Sequence, residues 1–287
     1  MYRMSHKPVC NIFHSHRVVS WCVVGVLLVV TVLTVSRIPA TSVYKNTVRT
    51  LFFSKHQALA YYFNYKDPQL AIFIGNYYFG GEAYDLNRAQ KSYERALVLT
   101  PNTRLAHYQL ARIYFVEGDL PGALKHINEE LQIDPLTLRS LYVRGLIKLS
   151  QHDLRGSEAD FRAFTQWAPG EWGGYNDLSF VLAKEGKYAE SEAVVRQAFI
   201  KVPNAKDVSW LWNSLGLAQL NQYKFKDAVV SFTHALTMSD AVTSKVWRRA
   251  YSGNDPAGDT TSIVTYQQAI KTNLKAAQVG ATIQESN

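Results

Sequence analysis

Hydrophobic and polar positions repeat along the middle of this chain at a fixed interval. Pro101, Pro135, Pro169 and Pro203 stand 34 residues apart, and small and large apolar residues recur at matching distances around them. A period of this length is typical of stacked helical hairpins, because one hairpin is too thin to bury its own apolar side. The pattern therefore predicts an all-α solenoid over residues 68–240, built to present a surface.

Aligning the prolines divides this region into about five units, the last with Asp240 in place of proline. In each unit a small residue lets the two helices approach, and a second small residue lies at their crossing. Large residues four positions later are expected to fill the space between neighbouring units, and Gly118 and Gly186 to adopt left-handed turns. The units are 68–101, 102–135, 136–169, 170–203 and 204–240. The small residues are Gly75, Ala111, Gly145 and Gly216, then Ala89, Ala123 and Ala228; the large ones are Tyr93, Phe161 and Phe232.

These positions resemble the tetratricopeptide repeat (TPR) family, whose pattern sets Trp, Leu-Gly, Tyr, Ala, Phe and Pro at fixed offsets in two antiparallel helices. The resemblance covers about residues 68–240. It implies a TPR-type helical-hairpin solenoid with helical caps, in which the first helix of each unit lines a concave groove. It also implies a protein or peptide partner and no small-molecule substrate.

Several positions depart from the family pattern. Only the fifth has the first signature tryptophan, Trp212, and the fourth has Ser179 in place of a Gly or Ala. The third places Arg144 and Lys148 at positions where apolar side chains are expected. Either these two stems extend to solvent, or the third unit packs loosely.

The first helices give a candidate groove that mixes rings with amide and cationic groups. Such a face suits an extended peptide or an amphipathic helix, held by apolar pockets and oriented by polar groups. The open alternative is that several rings belong to the core, or lie under the C-terminal helix folded back. The candidate groove residues are Phe73, Asn76, Tyr108, Arg112, Phe115, Arg139, Tyr142, Asn176, Phe180, Trp210 and Asn213.

The pattern argues against recognition of a peptide's terminal carboxylate. Some members of the family hold this group with a clamp of two Lys/Arg and three Asn residues. Here Asn76 and Arg139 match the clamp, but Ile72, Gln109 and Val143 occupy the other places. Most of the required charge is missing, so we do not expect this mode.

An uncharged stretch precedes the repeats. As a helix, residues 18–36 would extend roughly 28 Å, close to the thickness of a bilayer's hydrocarbon core. We expect a single transmembrane helix over 18–37 after a basic tail, 1–17. A cleaved signal peptide is the alternative, with a small-residue site at 40–42, although the apolar stretch is long for one. A short basic N-terminus usually stays in the cytoplasm, which places the repeats on the extracytoplasmic side, although the basic residues after the span weaken this assignment.

The segment between the span and the repeats is rich in rings and cations. Residues 41–66 hold seven aromatic residues and four Lys/Arg. A helix there could lie on the lipid headgroups or could cover the open end of the first unit. We expect a juxtamembrane linker and a capping helix in 38–67, because a solenoid end cannot stay bare.

Residues 241–287 are predicted to close the other end. A helix is expected over 241–251, a Gly/Asn/Asp/Pro loop over 252–259 and an amphipathic helix over 261–279. The apolar side of that last helix holds Ile263, Tyr266, Ile270, Leu274 and Ala277.

The charge of the chain gives no electrostatic basis for nucleic-acid binding. The net charge is +8, but residues 1–66 carry eight Lys/Arg and no acidic residue, so the predicted array is close to neutral. Nucleic-acid binding needs neutralisation of phosphates by a basic face. Both cysteines, Cys10 and Cys22, precede the repeats, so the array holds no disulfide and no metal–thiolate site.

Catalytic chemistry is not expected. No phosphate-binding loop, nucleophile elbow or HExxH motif occurs. No metal-ligand spacing joins the array's histidines and none has an obvious partner, so we expect no metal site and no cofactor. Ser157 and Ser191 are read as packing residues. The array histidines are His107, His126, His152 and His234; the tail adds His6, Cys10, His14 and His16, which are expected to belong to a basic tail without a site.

Three hypotheses follow for function. The first is a membrane-anchored adaptor or scaffold, in bacterial envelope assembly, that binds a peptide or helix in its groove. The second is a periplasmic chaperone-like holder released by signal-peptide cleavage. The third is a structural accessory subunit of a membrane enzyme.

Overall fold

The structure, a computed structural model, describes residues 42–53, 56–63, 66–80, 83–243, 246–247 and 261–286. Over these residues the chain is a row of helices, with one short 3₁₀ turn at Ala205–Asp207. The helices are α1 (Ser42–Phe53), α2 (Gln57–Tyr62), α3 (Pro68–Gly80), α4 (Leu86–Leu99), α5 (Ala106–Glu117), α6 (Leu120–Ile133), α7 (Leu138–Ser150), α8 (Leu154–Trp167), α9 (Trp172–Lys184), α10 (Tyr188–Lys201), α11 (Ser209–Leu220), α12 (Phe225–Ser239) and α13 (Thr261–Ser286).

Ten of these helices form five hairpins in sequence order, hairpin 1 being α3–α4 and hairpin 5 being α11–α12. The second helix of each hairpin packs on the first helix of the next, so the hairpins stack in a row. First helices of neighbouring hairpins also touch, α5 with α7 and α9 with α11, which sets them side by side on one face. The predicted all-α hairpin solenoid is therefore confirmed.

The glycines of the first helices lie directly against a ring. A Cβ added to Gly75 would lie 2.4 Å from Tyr93 Cε1, and one on Gly216 would lie 2.7 Å from Phe232. The same holds for Gly145 and Phe161, at 2.8 Å. Each ring thus packs on the glycine of its own hairpin. Tyr93 also shares a core with Leu110 of the next hairpin, and Phe161 shares one with Tyr175, so these rings face the neighbouring hairpin as well.

The turns inside the hairpins repeat as regularly as the prolines. Gly118 and Gly186 have φ of +83° and +77°, as predicted, and His152 has φ of +63° at the matching position of hairpin 3. In two of these turns the next residue is an aspartate, Asp119 or Asp153, which caps the second helix. Its carboxylate accepts a hydrogen bond from the backbone N–H of the residue three positions later. These caps satisfy amide groups that the first helical turn leaves open.

Hairpin 3 is tightly packed around a buried ion pair. The Asp160 carboxylate is almost fully buried on α8 and accepts hydrogen bonds from the Arg144 Nη2 at 2.6 Å and Nε at 2.9 Å. Lys148 Nζ lies 2.8 Å from the same carboxylate. Both cations that replace apolar residues on α7 are therefore held by one anion. They neither extend to solvent nor loosen the hairpin.

The buried serines act within the core. Ser157 Oγ donates to the Gly145 carbonyl at 2.8 Å, and Ser191 Oγ lies 2.9 Å from the Ser179 carbonyl, in both cases across the hairpin. A serine at these crossings is small enough for close packing and satisfies its hydroxyl on the backbone.

Helices cover both ends of the row. Val48 of α1 and Ala60 of α2 are buried in the same core as α3. At the other end α13 packs on α12 through Ile263, Ile270 and Ala277, which are all buried. The amphipathic helix predicted over 261–279 is present and extends to Ser286.

Of three further predicted segments, the structure describes only part of one. Residues 241–243 are not helical, which contradicts the start of the helix predicted over 241–251, because α12 ends at Ser239 and the chain turns there. The loop predicted over 252–259 and the span predicted over 18–37 lie outside the described residues. Among the described helices, none is both long and apolar enough to cross a bilayer.

Candidate functional site

The predicted groove residues separate into a buried set and an accessible set. Four of them are less than one-tenth exposed and form the floor of the first-helix face: Tyr108, Tyr142, Asn176 and Trp210. The others reach solvent in whole or in part: Phe73, Asn76, Arg112, Phe115, Arg139, Phe180 and Asn213. We call this second set the groove surface. The two sets differ because neighbouring helices cover some side chains of the first helices and leave others in contact with solvent.

A buried polar network joins hairpins 3, 4 and 5 beneath the groove surface. The Tyr142 hydroxyl donates to Asp177 Oδ2 at 2.5 Å, and the Asn176 amide donates to Asp177 Oδ1 at 3.0 Å. Ser214 on α11 donates to Asn176 Oδ1 at 2.9 Å. Burial raises the pKa of Asp177 to about 6, although these two hydrogen bonds lower it. Tyr142 and Asn176 are thus structural members of the floor.

Trp210 lies under aromatic residues from the C-terminal segment. Its ring stacks on Trp172 at 5.2 Å and on Tyr266 of α13 at 5.7 Å, and Trp247 lies 5.7 Å away. The Tyr266 hydroxyl also lies 2.9 Å from Ser209 Oγ. The alternative left open by the sequence, a ring covered by the C-terminal helix, therefore holds for Trp210.

Amide and cationic groups link the groove surface of hairpins 1 to 3. Gln109 Nε2 donates to Asn76 Oδ1, which also accepts from the Tyr93 hydroxyl at 2.9 Å. The Arg112 guanidinium lies 4.5 Å from the centre of the Phe79 ring and donates to Gln109. Burial lowers the pKa of Arg112, and the nearby positive charge of Arg139 lowers it further. This stretch therefore concentrates positive charge on a partly desolvated face.

Two rings lie on the accessible side of the same face. Phe73 and Phe180 are each 40% exposed. Phe73 rests against Phe53 of α1, with ring centres 5.9 Å apart, and Lys184 Nζ lies 5.3 Å from the centre of the Phe180 ring. In hairpin 5, the side-chain oxygen of Asn213 is buried and has no hydrogen-bond partner within the described residues. Unsatisfied buried polar atoms are rare in folded proteins, and this one lies beneath the groove surface and not on it.

The positions that correspond to the carboxylate clamp differ in their exposure to solvent. Ile72 and Val143 are buried in the core, whereas Asn76 and Arg139 are exposed. The prediction that this mode is not used remains a prediction.

Two array histidines come together, which the sequence reasoning missed. His107 Nδ1 on α5 lies 2.9 Å from His126 Nδ1 on α6, and Glu129 Oε2 lies 3.0 Å and 3.2 Å from these nitrogens. Burial lowers the pKa of His126, while Glu129 raises it. The statement that these histidines lack partners was therefore wrong, because the antiparallel hairpin joins residues 19 positions apart. Elsewhere, His234 stacks on Trp212 at 4.5 Å and His152 is the exposed turn residue.

The hairpin row, with a glycine under a ring at regular intervals and a first-helix face left partly open, defines a helical-hairpin solenoid of the TPR class. Residues 81–136 match the family model described as tetratricopeptide repeat. No curated protein sequence matches this chain.

Solved structures share this fold at low sequence identity. YrrB, described as a TPR protein with an unusual peptide-binding site, is 15% identical with a TM-score of 0.53, over 66% of this chain and 94% of its own. PilF of Pseudomonas aeruginosa is 13% identical with a TM-score of 0.54, over 76% and 90%. PilW, described as a type IV pilus biogenesis factor, is 17% identical with a TM-score of 0.53, over 77% and 93%. These likenesses support the fold.

Proposed function

We propose that this protein is a membrane-anchored TPR scaffold, and not an enzyme, that binds a peptide or helix of a partner protein on its groove surface. The observation that carries the proposal is the composition of that surface. Exposed rings at Phe73 and Phe180 flank a central stretch in which Arg112 donates to the Gln109 amide and lies near the charge of Arg139. Peptide grooves of this kind hold apolar side chains in pockets and fix chain direction through polar groups.

The charge of the groove surface indicates which kind of partner segment it would bind. The two arginines favour a segment that carries acidic groups at its centre, with apolar side chains on either side for the two phenylalanines. The partner in this proposal is therefore an amphipathic segment of mixed apolar and acidic character.

Photo-crosslinking in cells tests the groove surface. A photoreactive phenylalanine analogue replaces Phe73, Arg139 or Phe180 one at a time in the full chain. Controls carry it at Val98 and Ile200, which are more than four-fifths exposed on second helices. We expect one shared adduct from the three groove positions and none from the controls. Adducts from the controls alone, or equal adducts everywhere, would reject the groove.

The proposed anchor is residues 18–37, in a bacterial cytoplasmic membrane with the repeats on the extracytoplasmic side. It rests on the length of the uncharged stretch and on the short basic tail before it. Envelope assembly is proposed from this layout, since an anchor raises the effective concentration of the groove for partners at the same membrane.

Mass and labelling measurements test the anchor. The intact mass of the membrane fraction should include residues 1–42, whereas a mass that begins after them indicates the secreted holder. An impermeant thiol reagent applied to whole cells should leave Cys10 unlabelled and should label a cysteine at the exposed position of a Lys206→Cys variant. The reverse labelling would invert the proposed orientation. Stoichiometric co-purification with an enzyme in mild detergent would instead favour the accessory-subunit hypothesis.

A further inference from the structure

Three potential metal ligands converge on one point in hairpin 2. His107 projects from the first turn of α5, and His126 and Glu129 lie one turn apart on α6. The two Nδ1 atoms are 2.9 Å apart, and Glu129 Oε2 is 3.0 Å from one and 3.2 Å from the other. The three atoms therefore form a nearly equilateral triangle, although their residues come from two helices.

Hydrogen bonding alone does not explain this triangle. If both Nδ1 atoms carry a proton, two donors face each other at 2.9 Å. If only one carries a proton, the lone pair of the other faces the carboxylate oxygen at close range. In each of these neutral states one side of the triangle joins two like groups. A cation bound between them would attract all three donor atoms and offset the repulsion among them.

The distances fit a transition metal. With metal–ligand bonds of about 2.05 Å, donor atoms separated by 2.9 to 3.2 Å subtend angles of about 90–100° at the ion. These are the angles of three ligands on one face of an octahedron. Two imidazoles with one carboxylate are a common ligand set for divalent iron-to-zinc ions, and hard cations such as Mg²⁺ prefer oxygen ligands.

Neighbouring side chains hold the three ligands in position. The Tyr114 ring stacks on His126 with centres 5.2 Å apart, and Gln90 of hairpin 1 donates to the Tyr114 hydroxyl at 3.2 Å. Buried Glu130 accepts the backbone N–H groups of Leu105 and Tyr108 at 2.7 Å and 3.2 Å, which fixes the turn that carries His107. Preorganised ligands of this kind lose little conformational freedom on binding an ion.

We propose that His107, His126 and Glu129 form a binding site for one divalent transition-metal ion, Zn²⁺ or a similar cation. The ion joins the first and second helices of hairpin 2. The three side chains are 15%, 18% and 34% exposed, so the site opens to solvent and its remaining coordination positions are filled by water. The bound ion thus acts as a clip across one hairpin of the row.

Calorimetric titration of the full chain with Zn²⁺ tests the site. The background variant carries His6→Gln, Cys10→Ser, His14→Gln and His16→Gln, which removes competing ligands of the tail. We expect one equivalent to bind in this background and none of Mg²⁺. His126→Gln or Glu129→Gln should weaken Zn²⁺ binding at least about tenfold. His152→Asn, which replaces an exposed histidine with a residue that tolerates positive φ, should leave binding unchanged.

Thermal unfolding gives an independent readout. A hundredfold excess of Zn²⁺ over its dissociation constant should raise the Tm of the background variant by roughly 5–10 °C and should not change that of His126→Gln. Circular dichroism of each variant without metal reports whether the helical array still folds. The proposal is overturned if the background binds no Zn²⁺, or if folded His126→Gln and Glu129→Gln variants bind it as tightly as the background.

Discussion

Replacing Asp177 by asparagine should change how the stability of this protein depends on pH. The carboxylate is buried among hairpins 3, 4 and 5, and burial raises its pKa from 3.8 to about 6. The folded state therefore holds this proton at pH values where the unfolded chain has released it. Stability falls as pH rises from about 4 to about 6, then stays level. The substituted asparagine keeps the shape of the side chain but carries no charge, so the variant lacks this fall.

The size of the effect follows from the two pKa values. Integrating proton release between them gives a loss of about 2 kcal/mol for the native chain between pH 4.5 and pH 7.5, relative to the variant. The substituted amide oxygen can still accept from the Tyr142 hydroxyl, but its NH2 group then faces the Asn176 NH2 group, so the second hydrogen bond is lost at every pH. The free energy of unfolding of the Asp177→Asn variant, relative to that of the native chain, should therefore increase with rising pH, whatever the variant's stability at low pH.

Urea unfolding at several pH values, followed by circular dichroism, measures this difference. Comparing variant with native chain at each pH cancels the contributions of other carboxylates, such as Glu158 and Glu192, whose pKa values are lowered to about 2. The matched control is Asp207→Asn, on the exposed 3₁₀ turn, whose difference from the native chain should stay within about 0.5 kcal/mol at all pH values. If the stability difference between Asp177→Asn and the native chain is equally independent of pH, then ionising the buried carboxylate does not cost the free energy calculated above.

Five further substitutions test the packing and the turns by their effect on urea unfolding. Gly216→Ala should destabilise by about 1–3 kcal/mol because its Cβ meets a buried ring, whereas Gly80→Ala, with open space around it, should stabilise by up to about 1 kcal/mol; the same sign for both would contradict the close-approach argument. Asp160→Asn should cost about 3 kcal/mol because it leaves two partly buried cations with a neutral partner, and a loss below about 0.5 kcal/mol would show that the pair is not structural. His152→Gly should stabilise by roughly 0.5–1 kcal/mol by relieving a positive φ, and Gly186→His should destabilise by a similar amount; no change in either would argue against strain at this turn.

The repeating features of the fold could be predicted from the sequence. Proline spacing, the small residues and the turn glycines recur with one period, and each has a local physical reason that does not depend on distant residues. The amphipathic α13 was predicted for the same reason. Its true end at Ser286 was missed because the apolar pattern weakens after Val279 although the helix continues.

Features that join two helices could not be predicted in the same way. The ion pair of Asp160 with Arg144 was missed because each residue, read alone, looks misplaced in a core position. The contact between His107 and His126 depends on the exact rotation of α5 against α6, which spacing does not reveal. Likewise, a helix projection cannot tell Phe180, which stays accessible, from Tyr142, which the next hairpin covers.

The stacked indoles at the C-terminal end provide an intrinsic optical reporter. The Trp210 ring lies beside the rings of Trp172, Trp247 and Tyr266, with ring centres 5.2 to 5.7 Å apart. Of these four residues, only Tyr266 belongs to α13. Fraying of α13 would admit water to Trp210 and shift tryptophan emission to longer wavelength, before the rest of the row unfolds. Partner-induced changes at this end of the solenoid could therefore be followed in solution without attaching a dye.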